Sequence, residues 1–220
     1  MELSHCTGVC EMSEFGYIPE APEQSAFNNK GIFTPTDIYN LKQNNKWVKG
    51  GAGLELIQSQ TVSGVSQIDF TNLRENEFDI HFVEYNIKPS ADTQNYIRFS
   101  DDGGSSFETS NYIYSWFIND SASGSGETKS TSSSQMYMNY GGGNGTYENH
   151  TAYYYFYNLG KSKFSLVSER AVTGSSTGSA HTFLGGAGYR VASVINGIRF
   201  YPQNGTSTGT VKLFGIKELT

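Results

Sequence analysis

The chain has few charged residues: Asp, Glu, Lys and Arg make up only 16% of its 220 residues. Its net charge is −6, and the sequence contains no cluster of basic residues. Proteins that bind nucleic acids neutralise phosphates with a basic patch, so this composition argues against such a partner. Long apolar runs are missing too, because the longest, such as "AYYYFYNL", are far shorter than a membrane span. The opening "MELSHCTGVCEMSE" lacks the basic and apolar regions of a secretory signal. We therefore expect no nucleic-acid partner and no membrane insertion.

Cysteine is equally scarce, with only Cys6 and Cys10, which lie beside His5. Two Cys and one His are too few for a structural zinc site unless another chain contributes, and they do not form a disulfide framework. A disulfide, a shared metal site and two unpaired thiols all remain open. None of the four histidines has the spacing of a metal motif. We expect no metal ion and no cofactor.

The residues that favour strands and turns are abundant instead. Aromatic residues reach 14%, and there are 25 Gly against 5 Pro. Few Glu, Lys and Leu are present to favour helices. Short runs from Leu54 onward predict an all-β fold, with residues 51–220 forming an antiparallel β-sandwich or jelly-roll-like domain. The strands are expected near residues 54–60, 65–70, 78–85, 94–100, 111–118, 135–140, 152–158, 162–169, 181–184, 189–192, 196–201 and 210–217.

Two loops, and the two faces of one strand, can also be predicted within the β-domain. The Ser-rich and Gly-rich stretches 121–134 and 141–150 are expected to be loops. In "FDIHFVEY", the alternation places Ile80 and Phe82 on one face and His81 on the other. We therefore expect His81 on the surface of a sheet.

The first 30 residues show no apolar period, so they are predicted to form an extended arm that becomes ordered only on a partner. Pro19 and Pro22 would keep this arm extended. Its predicted virion-docking residues are the scattered apolar side chains Phe15, Tyr17, Ile18 and Phe27.

Residues 31–50 are expected to contain a short helix and a linker. Thr34 can cap the helix, and Pro35 suits its first position because the missing N–H would have no partner there. The pattern predicts a helix from about Pro35 to Gln43.

The stretch "RFSDDGGSSFET" fits S-x-D-x-G-x-S-[FW] and resembles the Asp-box, a hairpin motif known from sialidase propellers. An Asp carboxylate in such a turn accepts backbone N–H groups, and glycine supplies positive φ. A calcium loop would need more oxygen ligands, and a hydrolytic pair needs carboxylates on separate elements. We therefore predict a structural turn and no catalytic residue. The turn residues are Ser100, Asp102, Gly104, Ser106 and Phe107.

Tyrosine and tryptophan on the strands are the strongest remaining signal for binding. These side chains stack on sugar rings, although a sandwich core would bury about half of a period-two strand. The candidates for contact with glycans are Tyr112, Tyr114, Trp116, Tyr153 and Tyr155.

Three blocks resemble the C-terminal domains of tailed-bacteriophage virion proteins: "GAGLELIQSQTVSGVSQIDFTNL", "DIHFVEYNIKPSADTQNYIRFSDDGGSSF" and "INGIRFYPQNGTSTGTVKLFGIKEL". "KGIFTPTDIYNLKQNNKW" is similar to a short helix–Trp module of phage tail and fibre proteins. The resemblance implies a non-enzymatic structural protein on the virion exterior, of the tail-fibre or adhesin type. It would contact other virion proteins, host-surface polysaccharide and, as a homotrimer, itself. A capsid decoration or head-fibre protein, a polysaccharide-degrading tail enzyme and a free carbohydrate-binding module are the alternatives.

Overall fold

The computed structural model describes residues 35–43, 53–139, 142–174 and 178–216. The chain divides into two units, Met1–Gly51 and Ala52–Thr220, which are considered separately. The predicted arm with Phe15, Tyr17, Ile18 and Phe27, and both cysteines, lie outside the described residues.

The described part of the first unit is helix α1, Pro35–Gln43, which confirms the helix predicted from the sequence. Proline at its first position needs no hydrogen-bond acceptor. Ile38 and Leu41 are half-buried, whereas Tyr39 is exposed and its hydroxyl accepts a hydrogen bond from Gln43 Nε2 at 3.0 Å. Within the described ranges, no helix has the length and apolar character needed to cross a membrane.

The second unit is built from strands. In chain order they are β1 Leu54–Val65, β2 Ile68–Phe70, β3 Ile80–Pro89, β4 Asn95–Ser100, β5 Tyr112–Asp120, β6 Gly124–Ser133, β7 Met136–Tyr137, β8 His150–Tyr157, β9 Lys163–Gly174, β10 Ala180–Ser193, β11 Gly197–Pro202 and β12 Ser207–Ile216.

These strands form two antiparallel sheets packed as a sandwich, which confirms the predicted all-β fold. The large sheet has the order β1-β12-β3-β8-β9-β10-β5-β6, and the small sheet has the order β2-β11-β4-β7. The core between them is mainly aromatic and aliphatic. Its largest fully buried side chains are Tyr85, Tyr112, Tyr154, Phe70, Phe99, Phe156, Phe183, Phe200, Ile68, Leu73, Ile87 and Ile97.

Two strand predictions were wrong. The segment 121–134, expected to be a loop, contains β6, which pairs with β5 alone at the edge of the large sheet. Its exposed polar side chains give no apolar alternation for the sequence to reveal. The predicted strands 181–184 and 189–192 are one strand, β10, because the glycines between them continue the ladder with β5 and β9.

The predicted orientation of β3 was also wrong. His81 is fully buried on the inward face, and its Nε2 lies 2.8 Å from the carbonyl oxygen of Leu73. Burial lowers the pKa of the imidazole. Phe82 points outward, where its ring contacts those of Tyr155 and Phe214 at 5.1 and 5.9 Å. A large apolar residue can face outward here because its neighbours on that face are aromatic as well.

Candidate functional site

The turn after β4 is held by the Asp102 carboxylate, as the sequence predicts. Oδ1 of Asp102 accepts hydrogen bonds from the Ser100 hydroxyl at 2.8 Å and from the Ser106 backbone N–H at 2.9 Å. Oδ2 accepts the Ser106 hydroxyl at 2.7 Å. Gly104 has φ of +88°, and a Cβ there would come within 2.4 Å of Thr71 Cγ2. Both the conformation and the space therefore require glycine.

Electrostatics and a distant side chain fix the same turn. The pKa of Asp102 falls to about 2, because Ser106 donates to it from both its backbone and its hydroxyl. Asn196, which precedes β11, accepts from Gly103 N–H at 2.8 Å and donates to Asp101 O at 3.2 Å. Phe107 packs under the guanidinium of Arg199, which lies 3.8 Å from its ring centre. The motif thus joins the ends of β4 and β11, and its carboxylate is occupied by the turn's own donors.

The described part of the chain contains no candidate metal centre. No group of three or more His, Cys, Asp or Glu side chains is close enough there to hold an ion.

The five tyrosine and tryptophan candidates for glycan contact differ in burial and do not share one face. Tyr112 and Trp116 are buried in the core, so their assignment as glycan contacts was wrong: both point between the sheets. Tyr114 is half-buried and stacks on Tyr137 with ring centres 5.5 Å apart. Tyr153 and Tyr155 project from the opposite side of the large sheet, where Tyr153 keeps 40% of its surface exposed.

That opposite side of the large sheet, which we call the outer face, is unusually apolar. A sheet face in contact with water normally carries polar side chains. Among the described residues, the exposed large hydrophobic side chains outside this face are only Tyr39, Tyr147 and Val194. Those on the outer face are Leu54, Leu56, Phe117, Tyr153, Phe164, Leu166, Val172 and Leu184.

Strand register arranges the side chains of the outer face in rows that run across the sheet. Two adjacent rows, which we call the uncharged rows, contain no Asp, Glu, His, Lys or Arg from β1 to β5, and on β6 the second row continues with Lys129. The first is Leu54–Ile216–Ile80–Tyr157–Leu166–Gly188–Ile113. The second is Leu56–Phe214–Phe82–Tyr155–Ser168–Gly186–Ser115.

A third row borders them and carries charges of both signs. It runs Ser59–Lys212–Glu84–Tyr153–Arg170–Leu184–Phe117–Glu127. Lys212 and Glu84 form a salt bridge at 3.1 Å within the chain. Arg170 is exposed between Tyr153 and Leu184. The outer face therefore carries two uncharged rows with a charged row along one side, and such a combination of apolar and charged side chains is typical of a protein contact surface.

Sequence reasoning missed a group of polar side chains inside the sandwich. The Tyr154 hydroxyl donates to Glu169 Oε1 at 2.8 Å, and Asn95 Nδ2 lies 3.2 Å from His150 Nδ1. Burial raises the pKa of Glu169 well above its ordinary value and lowers the pKa of His150 to about 3. The alternation of β9, which buries Val167 and Ala171, is the sequence signal from which the burial of Glu169 could have been predicted.

Neither a scan of protein-family models nor a search of curated proteins finds a match to this chain.

Proposed function

We propose that the chain is a non-enzymatic structural protein on the exterior of a tailed-bacteriophage particle, of the tail-fibre or adhesin type. Its first 30 residues dock onto other virion proteins, and its β-sandwich faces outward. The order of the sequence blocks that resemble phage virion domains supports this proposal, together with a sandwich fold across those blocks.

The outer face of the large sheet is the observation that carries the proposal. Exposed apolar patches of this extent mark surfaces that contact other molecules. A structural component of a particle needs such surfaces for assembly, whereas an enzyme needs a cleft with convergent polar groups. The most prominent acidic motif instead closes a turn, since Asp102 binds Ser100 and Ser106. The arrangement therefore favours an assembly protein over a polysaccharide-degrading tail enzyme.

Host-surface polysaccharide is the proposed external ligand. Of the original candidates, Tyr153 is the one with a substantially exposed ring, and Arg170 lies directly beside it on β9. A ring that offers its face and a neighbouring cation suit a sugar chain that bears hydroxyl and acidic groups. Binding of the purified protein to host polysaccharide, and its loss in Tyr153→Ser, tests this part of the proposal.

Antibody labelling of intact particles tests the main proposal. Antibodies against the β-sandwich should decorate the surface of a phage that encodes the chain, at tail or head according to its role. Deleting residues 2–28 should leave a folded β-domain that no longer joins particles. Unlabelled particles, or hydrolysis of polysaccharide by the purified protein, would contradict the proposal. Normal incorporation of the deletion variant would show that the β-domain itself carries the attachment.

A further inference from the structure

We infer that the uncharged rows of the outer face form the contact between two copies of this chain, related by a two-fold axis. This adds a surface and a symmetry to the self-association that the resemblance to phage virion proteins implies. It replaces the homotrimer expected from the sequence. Whether the chain resides on a virion does not affect the argument.

The size of the surface fits a stable pair. All eight strands of the large sheet lie in the contact, because the axis described below sets β1 against β6 of the partner. At about 4.8 Å between strands and about 6.7 Å between rows, the uncharged rows and their border cover roughly 38 Å by 20 Å. This area is on the order of 760 Å², close to the ~800 Å² that each partner buries in an interface of standard size.

The shape of the rows is complementary to itself. In the second row, Leu56, Phe214, Phe82 and Tyr155 form a ridge on β1, β12, β3 and β8. The other half of this row, which we call the low half, has only small side chains or none: Ser168 on β9, Gly186 on β10 and Ser115 on β5. An axis parallel to the strands, between β8 and β9, places the ridge of one copy on the low half of its partner.

Next to the axis, Tyr155 and Tyr157 of β8 face Ser168 and Leu166 of the partner's β9, and one strand farther out a large side chain faces a glycine. Phe82 on β3 faces the copy of Gly186 on β10, and Ile80 faces the copy of Gly188, because β3 and β10 are equally distant from the axis. Gly186 leaves room above the sheet, since the one atom within 4 Å of a Cβ there would be the carbonyl oxygen of Val167, whereas Gly188 is buried between Leu166 and Ile113. Two sheets face to face are about 10 Å apart, so an aromatic side chain opposite a glycine fills the gap without a clash.

The charges agree with the same pairing. The chain has a net charge of −6, so copies repel unless they meet through a neutral surface. In the border row, the axis sets Arg170 of one copy against Tyr153 of the other, where a guanidinium can lie over the ring, so pairing and the polysaccharide contact proposed for Tyr153 exclude each other. Glu84 occupies the position next to Tyr153, so the partner's Arg170 also approaches an acid. Because Arg170 lies beside the axis, the two copies of Arg170 are themselves about one strand spacing (~4.8 Å) apart laterally, and Glu84 of each copy is the nearby acid that offsets their charge.

The test is the mass of the full-length protein in solution, measured by sedimentation equilibrium at micromolar concentration. Wild type should have twice the chain mass of 24.2 kDa. Ser115→Glu, on the low half of the second row, should reduce the mass to that of one chain, because each copy would bury a carboxylate against Phe214 of the other. Ser115 is exposed in the single chain, so the fold should survive.

Ser66→Glu is the matched control, because Ser66 is exposed in the turn between β1 and β2, outside the uncharged rows. It should keep the doubled mass. Leu166→Glu, in the first row, should act like Ser115→Glu, with circular dichroism checking the fold of each variant. A wild-type monomer or trimer, or a Ser115→Glu protein that remains paired, would overturn the two-fold contact. Absence of the protein from particles would instead refute the proposed function and leave this result unchanged.

Discussion

Gly185 of β10 lies directly opposite Trp116 of β5, and the indole packs over the glycine. A Cβ at position 185 would come 2.5 Å from Trp116 Cε3 and 2.3 Å from the carbonyl oxygen of Ser115. The missing side chain is therefore what allows the buried tryptophan to lie flat in the core. This pair explains why glycine stands in the middle of a long central strand.

We expect Gly185→Ala to lower the free energy of unfolding by about 1–3 kcal/mol, the usual cost of forcing extra volume into a packed core. Urea unfolding followed by tryptophan fluorescence measures the change. Gly126→Ala in β6 is the control, because a Cβ there meets nothing within 4 Å. Its effect should stay within about 0.5 kcal/mol. Equal losses in the two variants would show that the indole contact is not the cause.

Asp102→Ala should lower the midpoint of thermal unfolding, because Ser100, Ser106 and the Ser106 backbone would lose their shared acceptor. Asp102→Asn should fall between the wild type and the alanine variant, since one oxygen can still accept. Asp101→Ala is the matched control: its side chain is exposed, and Asn196 bonds only to its backbone oxygen. A larger loss in Asp101→Ala than in Asp102→Ala would contradict the assignment of the turn.

Glu169 should make the protein less stable as the pH rises. Its pKa in the folded protein is raised well above 4.5, so its contribution is complete below pH ~4.5 and is lost as the pH increases towards the folded pKa. Each pH unit in this window costs up to about 1.4 kcal/mol. Glu169→Gln keeps an acceptor for Tyr154 but cannot ionise. Denaturant unfolding at several pH values should show that this variant gains stability relative to wild type as the pH rises.

His150 should make the protein more stable as the pH rises, which is the opposite of the effect of Glu169. Burial lowers its pKa from 6.5 to about 3, so its contribution is complete above pH 6.5 and is lost as the pH falls towards 3. Between pH 5 and 6.5 the two groups therefore partly cancel in the wild type. Stability should rise with pH in Glu169→Gln and fall with pH in His150→Gln. Parallel pH profiles of the two variants would contradict these opposed effects.

The sandwich could be predicted because most strands alternate and are separated by turn residues, and the Asp102 turn because its hydrogen bonds are local. Which face of each strand points into the core could not be predicted. Alternation identifies two faces but reveals the inner one only when the outer one is polar. Here Phe82 and Tyr155 face outward, while His81 and Glu169 face inward. The same ambiguity caused Tyr112 and Trp116 to be mistaken for surface residues.

Strand β6 was missed for a different reason. It pairs on one side only, so backbone hydrogen bonds to β5 hold it without an apolar face of its own. Propensity and alternation carry no information about a strand that is stabilised in this way.

Among the described strands, the two that come latest in the sequence, β11 and β12, occupy interior places, one in each sheet. β12 lies between β1 and β3, and β11 lies between β2 and β4. During synthesis, each sheet stays divided until its interior strand, β11 or β12, has left the ribosome. Chains that stop before β11 would expose unpaired edges and core aromatics, which favour aggregation or degradation over assembly. Strand order therefore ties completion of the β-sandwich to the synthesis of β11 and β12.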